Sequence, residues 1–224
     1  MNRKEEGSQR SNETNNLVLL LPNTPRTKRQ KIMSSPVSWG DWMGSWKVGA
    51  DQIDHEAARI DRQKAAFGGD TVARMKDLNV LILGCKGVGV ETAKNLILSN
   101  VGGVVLYDNE VGCSAADRGT NFLLTDAHVA AAGTMNRAKA SLPELKSLNP
   151  FCRVDTYDSP DGITDTYLLN PDVLGTGRPF AAIVVSTLVP DLVRLNEVAR
   201  VNGIAFILAV THGVTSSIFS DFGP

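Results

Sequence analysis

Nothing in this 224-residue sequence approaches the run of roughly 20 apolar residues that a membrane-spanning helix requires. The longest early apolar run, Leu17 to Leu21, follows no strongly basic leader, and Pro22-Asn23 stands where a secretory signal would need small residues for cleavage. No membrane association is therefore expected. Cysteine is scarce: Cys85, Cys113 and Cys152 are far apart, odd in number and form no CxxC pair, which excludes a zinc knuckle or redox motif and fits a reducing, intracellular compartment. The histidines His55, His128 and His212 are too scattered to suggest a metal site, so structural or surface roles are assigned to them. An excess of charge of either sign is also missing. With 23 lysines and arginines against 24 aspartates and glutamates, the formal net charge of -1 gives no electrostatic reason for broad nucleic-acid or membrane affinity, so the partners are expected to be proteins or small molecules.

What is present divides the chain in two. Residues 1 to about 50 are rich in Ser, Asn, Thr, Lys and Arg without a sustained period, the composition of a segment that cannot offset its ordering entropy. A disordered tail is expected over 1–50 and one folded domain over 51–224. Within the tail, Arg26-Thr27-Lys28-Arg29-Gln30-Lys31 reads either as a nuclear address or as ordinary solvated charge. Trp39, Trp42 and Trp46 are candidates to dock onto the body or onto a partner, since exposed indoles are costly in water.

From Ile53 the pattern turns helical, with Ile60, Phe67, Val72, Met75 and Leu78 spaced to share a face of an opening helix or helix pair. Asn79 to Leu83 is nearly all apolar, as in a parallel strand buried on both faces. It runs into Gly84-Cys85-Lys86-Gly87-Val88-Gly89 and then a helical stretch, Val90 to Leu98, with Ala93, Leu96 and Ile97 inward. Val104 to Tyr107 is the next strand and stops at Asp108, completing a βαβ unit of about 30 residues. After an irregular stretch, the pattern predicts a helix over 136–148, a strand over 152–157, a strand over 181–186, a helix over 190–201 and a strand over 204–210. A last strand begins near Ser217. Alternating β and α segments with buried strands predict an α/β fold with a doubly wound, mostly parallel, Rossmann-like sheet.

Strand, glycine loop and helix in this order suit phosphate chemistry. Glycine permits positive φ and close approach, and the helix N-terminus offers free N–H groups and partial positive charge to an anion. Gly84, Gly87 and Gly89 supply that geometry, and Asp108, 24 residues after Gly84, stands where an acid can accept from a ribose hydroxyl. The GxxGxG order differs from the dinucleotide GxGxxG, so two readings stand: a nucleotide site, or a loop that packs a helix on a sheet. Asp108 is correspondingly a ribose contact, vestigial or not, or a strand terminator.

Several phrases go beyond a generic nucleotide fold: Arg62-Gln63, "VLILGCKGVGVETAKNLILSNVGGVVLYD" from Val80, "NFLL" from Asn121, "NRAKASLPELKSLNP" from Asn136 and "FSDFG" from Phe219. In this order, over roughly residues 53 to 224, the sequence resembles the E1 enzymes that activate ubiquitin and ubiquitin-like proteins, which share the ThiF/MoeB adenylation fold. The resemblance implies a pseudo-symmetric pair of such domains. One half binds ATP and magnesium and adenylates the C-terminal glycine of the modifier; the other is its structural partner.

This chain resembles the second, non-catalytic kind. Active halves carry Asn-x-x-Arg-Gln before a Phe, whereas the matching stretch here is Asp117-Arg118-Gly119-Thr120-Asn121-Phe122. They carry a lysine where Arg137 stands and a magnesium-binding acid where Ser186-Thr187 stand. The resemblance further implies that Arg62 acts in trans on the ATP held by the partner half, and that ATP and magnesium belong mainly to that half. Cys85 is not the thioester cysteine, which lies in a separate domain of the family. "NRAKAS" and the Arg62-Gln63 context favour the small subunit of SUMO-activating heterodimers, and "FSDFG" favours the N-terminal half of ubiquitin-activating enzymes. Both continue past the final phrase, so an incomplete domain is expected here. The partners implied are a catalytic half and a ubiquitin-like protein, in the nucleus or cytoplasm. A stand-alone adenylating homodimer would need the missing groups, and an NAD-dependent oxidoreductase would need an acid-base constellation that residues 186–190 do not offer.

Overall fold

Gly68 takes φ 85° and breaks the opening helical pattern into α1 (His55–Phe67) and α2 (Gly69–Met75). This computed structural model describes residues 55–110, 112–131 and 134–223, so the expected tail with its basic run and tryptophans lies outside the described residues. The break redirects the chain. Ile60 and Val72 are buried, but Phe67 and Leu78, expected on the same apolar face, are exposed.

The remaining elements are β1 (Asn79–Leu83), α3 (Gly87–Leu98), β2 (Gly103–Tyr107), α4 (Ala115–Arg118), α5 (Asp126–Ala130), α6 (Arg137–Leu148), β3 (Arg153–Tyr157), α7 (Asp165–Leu168), a 3-10 turn at Val173–Gly175, β4 (Phe180–Val185), α8 (Leu192–Val201), β5 (Ala205–His212) and β6 (Thr215–Asp221). The sheet order is β3-β2-β1-β4-β5-β6, with β1 to β5 parallel and β6 antiparallel to β5. The fold is thus a doubly wound α/β sheet with an antiparallel edge.

Side chains alternate between two cores, as the period of a strand demands. Val80, Ile82, Val104 and Leu106 face α3 and α6 through Val90, Ile97 and Leu145. Leu81, Leu83, Val105, Ile183 and Val185 face the other way, toward Leu195, Ala199 and Phe206. Both layers are filled, which is why β1 and β2 are buried along their whole length. At the sheet's edge, Asp221 accepts from both Arg200 Nη1 (2.7 and 2.8 Å) and the Gly223 amide (2.9 Å), tying the end of β6 to α8.

The short helices α4, α5 and α7 were not legible as periods. Each is a single turn or little more, fixed by a cap: Ser114 with Asp117, Thr125 with His128, and Thr164 over the Tyr167 amide. His128 therefore has a structural role.

Candidate functional site

The strand order reverses direction between β1 and β4, and the crevice outside the carboxyl ends of such strands is where ligands enter a doubly wound sheet. Here it is an open hollow of about 910 Å³ lined by Lys86, Gly87, Val88, Ser186, Thr187 and His212, among others. The glycine loop forms its floor. Gly84 has φ +89°, and a Cβ there would lie 2.7 Å from Thr187 Cγ2 and 2.9 Å from Ser186 Oγ. At Gly89 a Cβ would overlap the Gly84 carbonyl oxygen and come within 2.6 Å of Ser186 Oγ, so this glycine lets α3 pack against its own loop. At Gly87 a Cβ would meet the Thr120 carbonyl oxygen at 2.9 Å. Backbone at Thr120 thus packs closely against the loop.

Asp108 ends β2 with its side chain fully sealed, and both carboxylate oxygens are engaged twice. Oδ2 accepts from the Cys85 amide (2.8 Å) and from Arg137 Nε (2.9 Å), while Oδ1 accepts from the Glu110 amide (3.0 Å) and from Arg137 Nη2 (2.7 Å). A carboxylate offers about four lone-pair sites, and these four donors fill them. The third donor of Arg137, Nη1, reaches Asp117 Oδ1 at 2.9 Å. Asp117 Oδ2 in turn accepts from the Ser114 amide (2.9 Å) and hydroxyl (2.7 Å), closing the capping box at the start of α4.

Arg137 is 2% exposed and Asp108 4%. Burial pulls the guanidinium pKa down, but the hydrogen bonds and charges of Asp108 and Asp117 more than reverse this, and the net direction is upward. Burial alone raises the Asp117 carboxyl. Its bonds from Ser114 and the nearby Arg137 guanidinium outweigh that, holding it below the usual carboxylate range.

Two further staples hold the loop. Asn121 donates to the Cys85 carbonyl (2.9 Å) and to Ser141 Oγ (3.0 Å). The single proton of Ser186 Oγ is directed to the Gly84 carbonyl (2.7 Å), with the Leu83 carbonyl at 3.1 Å sharing it. This hydroxyl therefore ties the tips of β1 and β4 together. Among the described residues no cluster of three or more His, Cys, Asp or Glu is arranged to hold a metal ion. Arg118 is exposed and paired with Asp126 at 3.2 Å. Asp108 is thus saturated by protein donors, and residues 186–187 at the end of β4 offer hydroxyls and no carboxylate.

Cys85 is completely buried in the loop; burial, then the Asp108 charge, push its thiol well up, against a smaller opposing effect of Arg137. It is a small side chain in a tight place, held in the thiol form and out of contact with solvent. Cys113 and Cys152 are also buried free thiols.

Arg62 lies on α1, away from the glycine loop. Its neighbour Gln63 donates to the Leu98 carbonyl (3.4 Å) and Arg59 donates to the Leu148 carbonyl (3.0 Å), so α1 crosses the carboxyl ends of α3 and α6. The glycine loop sits at the opposite end of α3, a 12-residue helix roughly 18 Å long. Arg62 is exposed and has no hydrogen-bond or ion-pair partner among the described residues. The structure does not bring it together with Gly84, Gly87, Gly89 and Asp108.

Residue spacing left two participants unassigned: Asp117, the second anchor of Arg137, and Asn121, the staple across the loop. The Ser114-x-x-Asp117 spacing of a capping box was the available signal for the first.

A family model described as the ThiF family matches residues 60–174. The chain is 33% identical over 174 residues to ubiquitin-activating enzyme E1 1 of Schizosaccharomyces pombe, covering 77% of this chain and 16% of that protein. It is 31% identical over 208 residues to human ubiquitin-like modifier-activating enzyme 6, covering 89% and 18%. Against SUMO-activating enzyme subunit 1 of Xenopus laevis it is 32% identical over 171 residues, covering 76% and 46%. The chain spans less than half the length of each of these relatives.

Proposed function

Since the chain belongs to the ThiF family, we propose that it is the non-catalytic adenylation half of an E1-type enzyme, SUMO type preferred, that assembles with a catalytic half. One observation carries this reading: the acid at the end of β2, Asp108, is taken up by Arg137, which also pairs with Asp117, so it is not free for a ligand. ATP and magnesium are then held by the partner half. There the carboxylate of the modifier's C-terminal glycine attacks the α-phosphorus, the bond to the β-phosphate breaks, and pyrophosphate leaves. Arg62 supplies its guanidinium to that triphosphate in trans, offsetting negative charge as the bonds exchange. Its position at the far end of α3, exposed and unpaired among the described residues, supports a target outside this chain.

The test is ATP–pyrophosphate exchange by the chain assembled with a catalytic half, ATP and the modifier. Arg62→Ala is expected to lower exchange about a hundredfold or more while assembly is retained. Undiminished exchange would remove Arg62 from the chemistry, and modifier-dependent exchange by the isolated chain would remove the non-catalytic assignment. The 33% identity to a ubiquitin-activating enzyme supports a second reading, the N-terminal inactive half of such an enzyme. Finding the catalytic half on a separate polypeptide in the native cell favours the SUMO type; finding it on the same polypeptide favours the ubiquitin type.

A further inference from the structure

The acid of the glycine-loop site has not been lost from this chain: it is present, correctly placed at the end of β2, and occupied. We propose that Arg137 is the residue that closes Asp108 to a nucleotide, by filling its carboxylate from within and by anchoring segment 114–121 beside it and the glycine loop. This rests on the non-catalytic reading and names its cause.

The closure has two arms. In the first, Arg137 meets Asp108 through two parallel N–H bonds of 2.9 and 2.7 Å, and the Cys85 and Glu110 amides take the remaining lone pairs. A ribose hydroxyl could then bind only by displacing a bidentate, charge-assisted contact sealed from solvent. In the second, the Nη1 bond to Asp117 fixes the capping box of α4, and the Thr120 amide and hydroxyl both donate to the Asp117 carbonyl, at 3.0 and 3.1 Å. That turn sets the Thr120 carbonyl oxygen beside the loop, 2.9 Å from where a Cβ on Gly87 would lie. One planar guanidinium with its fork of donors serves both arms. A lysine ammonium, a compact point charge with three donors, cannot present the parallel pair to Asp108 and reach Asp117 at the same time. The arginine therefore keeps the loop's shape while excluding the ligand.

The experiment measures binding of a fluorescent N-methylanthraniloyl ATP, and of unlabelled adenosine as competitor, to the full 224-residue chain, with circular dichroism to establish folding. The wild-type chain is expected to show no saturable binding. Arg137→Lys is expected to gain at least tenfold in affinity, and Asp108→Asn added to it is expected to abolish the gain. Arg137→Gln provides a second opening of the site should the lysine variant fold poorly. An arginine with a merely structural role would lower the thermal midpoint and leave binding unchanged; that result in a folded variant overturns the proposal. Saturable, Asp108-dependent binding by the wild-type chain overturns it too, whatever the variants do. Neither result bears on exchange by the assembled enzyme, where Arg62→Ala decides the broader reading separately.

Discussion

Replacing Arg137 by methionine leaves Asp108 and Asp117 buried without the cation between them. Deleting one partner of a buried ion pair costs about 3–5 kcal/mol, because the surviving charge is left uncompensated. Asp108 retains its Cys85 and Glu110 amide donors and Asp117 its two bonds from Ser114, so the expected loss lies near the low end, about 3 kcal/mol. For a domain of this size each kcal/mol moves the thermal midpoint by about 2–4 °C, so a fall of about 6–12 °C is expected. Urea unfolding followed by far-ultraviolet circular dichroism measures the loss, with the denaturant slope unchanged if only stability has moved. The double variant Asp117→Asn/Arg137→Met should lose less than the sum of the two single variants, since the first change removes a charge that the second would strand. A loss below about 1 kcal/mol for Arg137→Met, or strict additivity in the cycle, would refute the claim that the three groups act as one buried unit.

Other outcomes follow from the same geometry. Gly89→Ala should destabilise the domain by about 1–3 kcal/mol or more, because its Cβ overlaps the Gly84 carbonyl and crowds Ser186 Oγ; an unchanged urea midpoint would count against it. Asp117 is held below the ordinary carboxylate value of about 3.9, so its contribution is complete above that pH and is lost as pH falls through the depressed folded value. Stability of the wild-type chain should therefore drop more steeply below about pH 4 than that of Asp117→Asn, and parallel curves would contradict the assignment. Cys85, Cys113 and Cys152 are buried, and burial pushes the Cys152 thiol up to about 11, so none should react with a disulfide reagent at neutral pH until the chain is unfolded. Rapid labelling of the native chain would show that the loop opens. Arg62→Ala, at an exposed helix position, should leave the unfolding midpoint within about 0.5 kcal/mol of wild type while removing exchange from the assembled enzyme.

Much of the sheet was readable in advance because its signals are local. The apolar runs at Asn79–Leu83 and Gly103–Tyr107 are buried on both faces, and Asn136 caps α6 over the Lys139 amide where the pattern placed a helix start. The division at Gly68 was less legible, since residue spacing cannot reveal a positive φ that turns one apolar stripe into two. The helical turns α4, α5 and α7 carry no period at all and exist through their caps.

The amino-acid order by itself determined the strands and the longer helices, that a glycine loop joins the first strand to the helix after it, and that Asp108 ends the second strand, because propensity, burial period and backbone freedom act over a few residues. Only the tertiary structure decided what Asp108 does. Arg137 lies 29 positions further along and Asp117 a further participant between them, and nothing in local spacing states that one guanidinium will bridge the two carboxylates. That pairing arises from packing α6 and the 114–121 segment against the end of β2. Burying three charges there is tolerable only when each is met by its opposite and by the remaining hydrogen-bond donors.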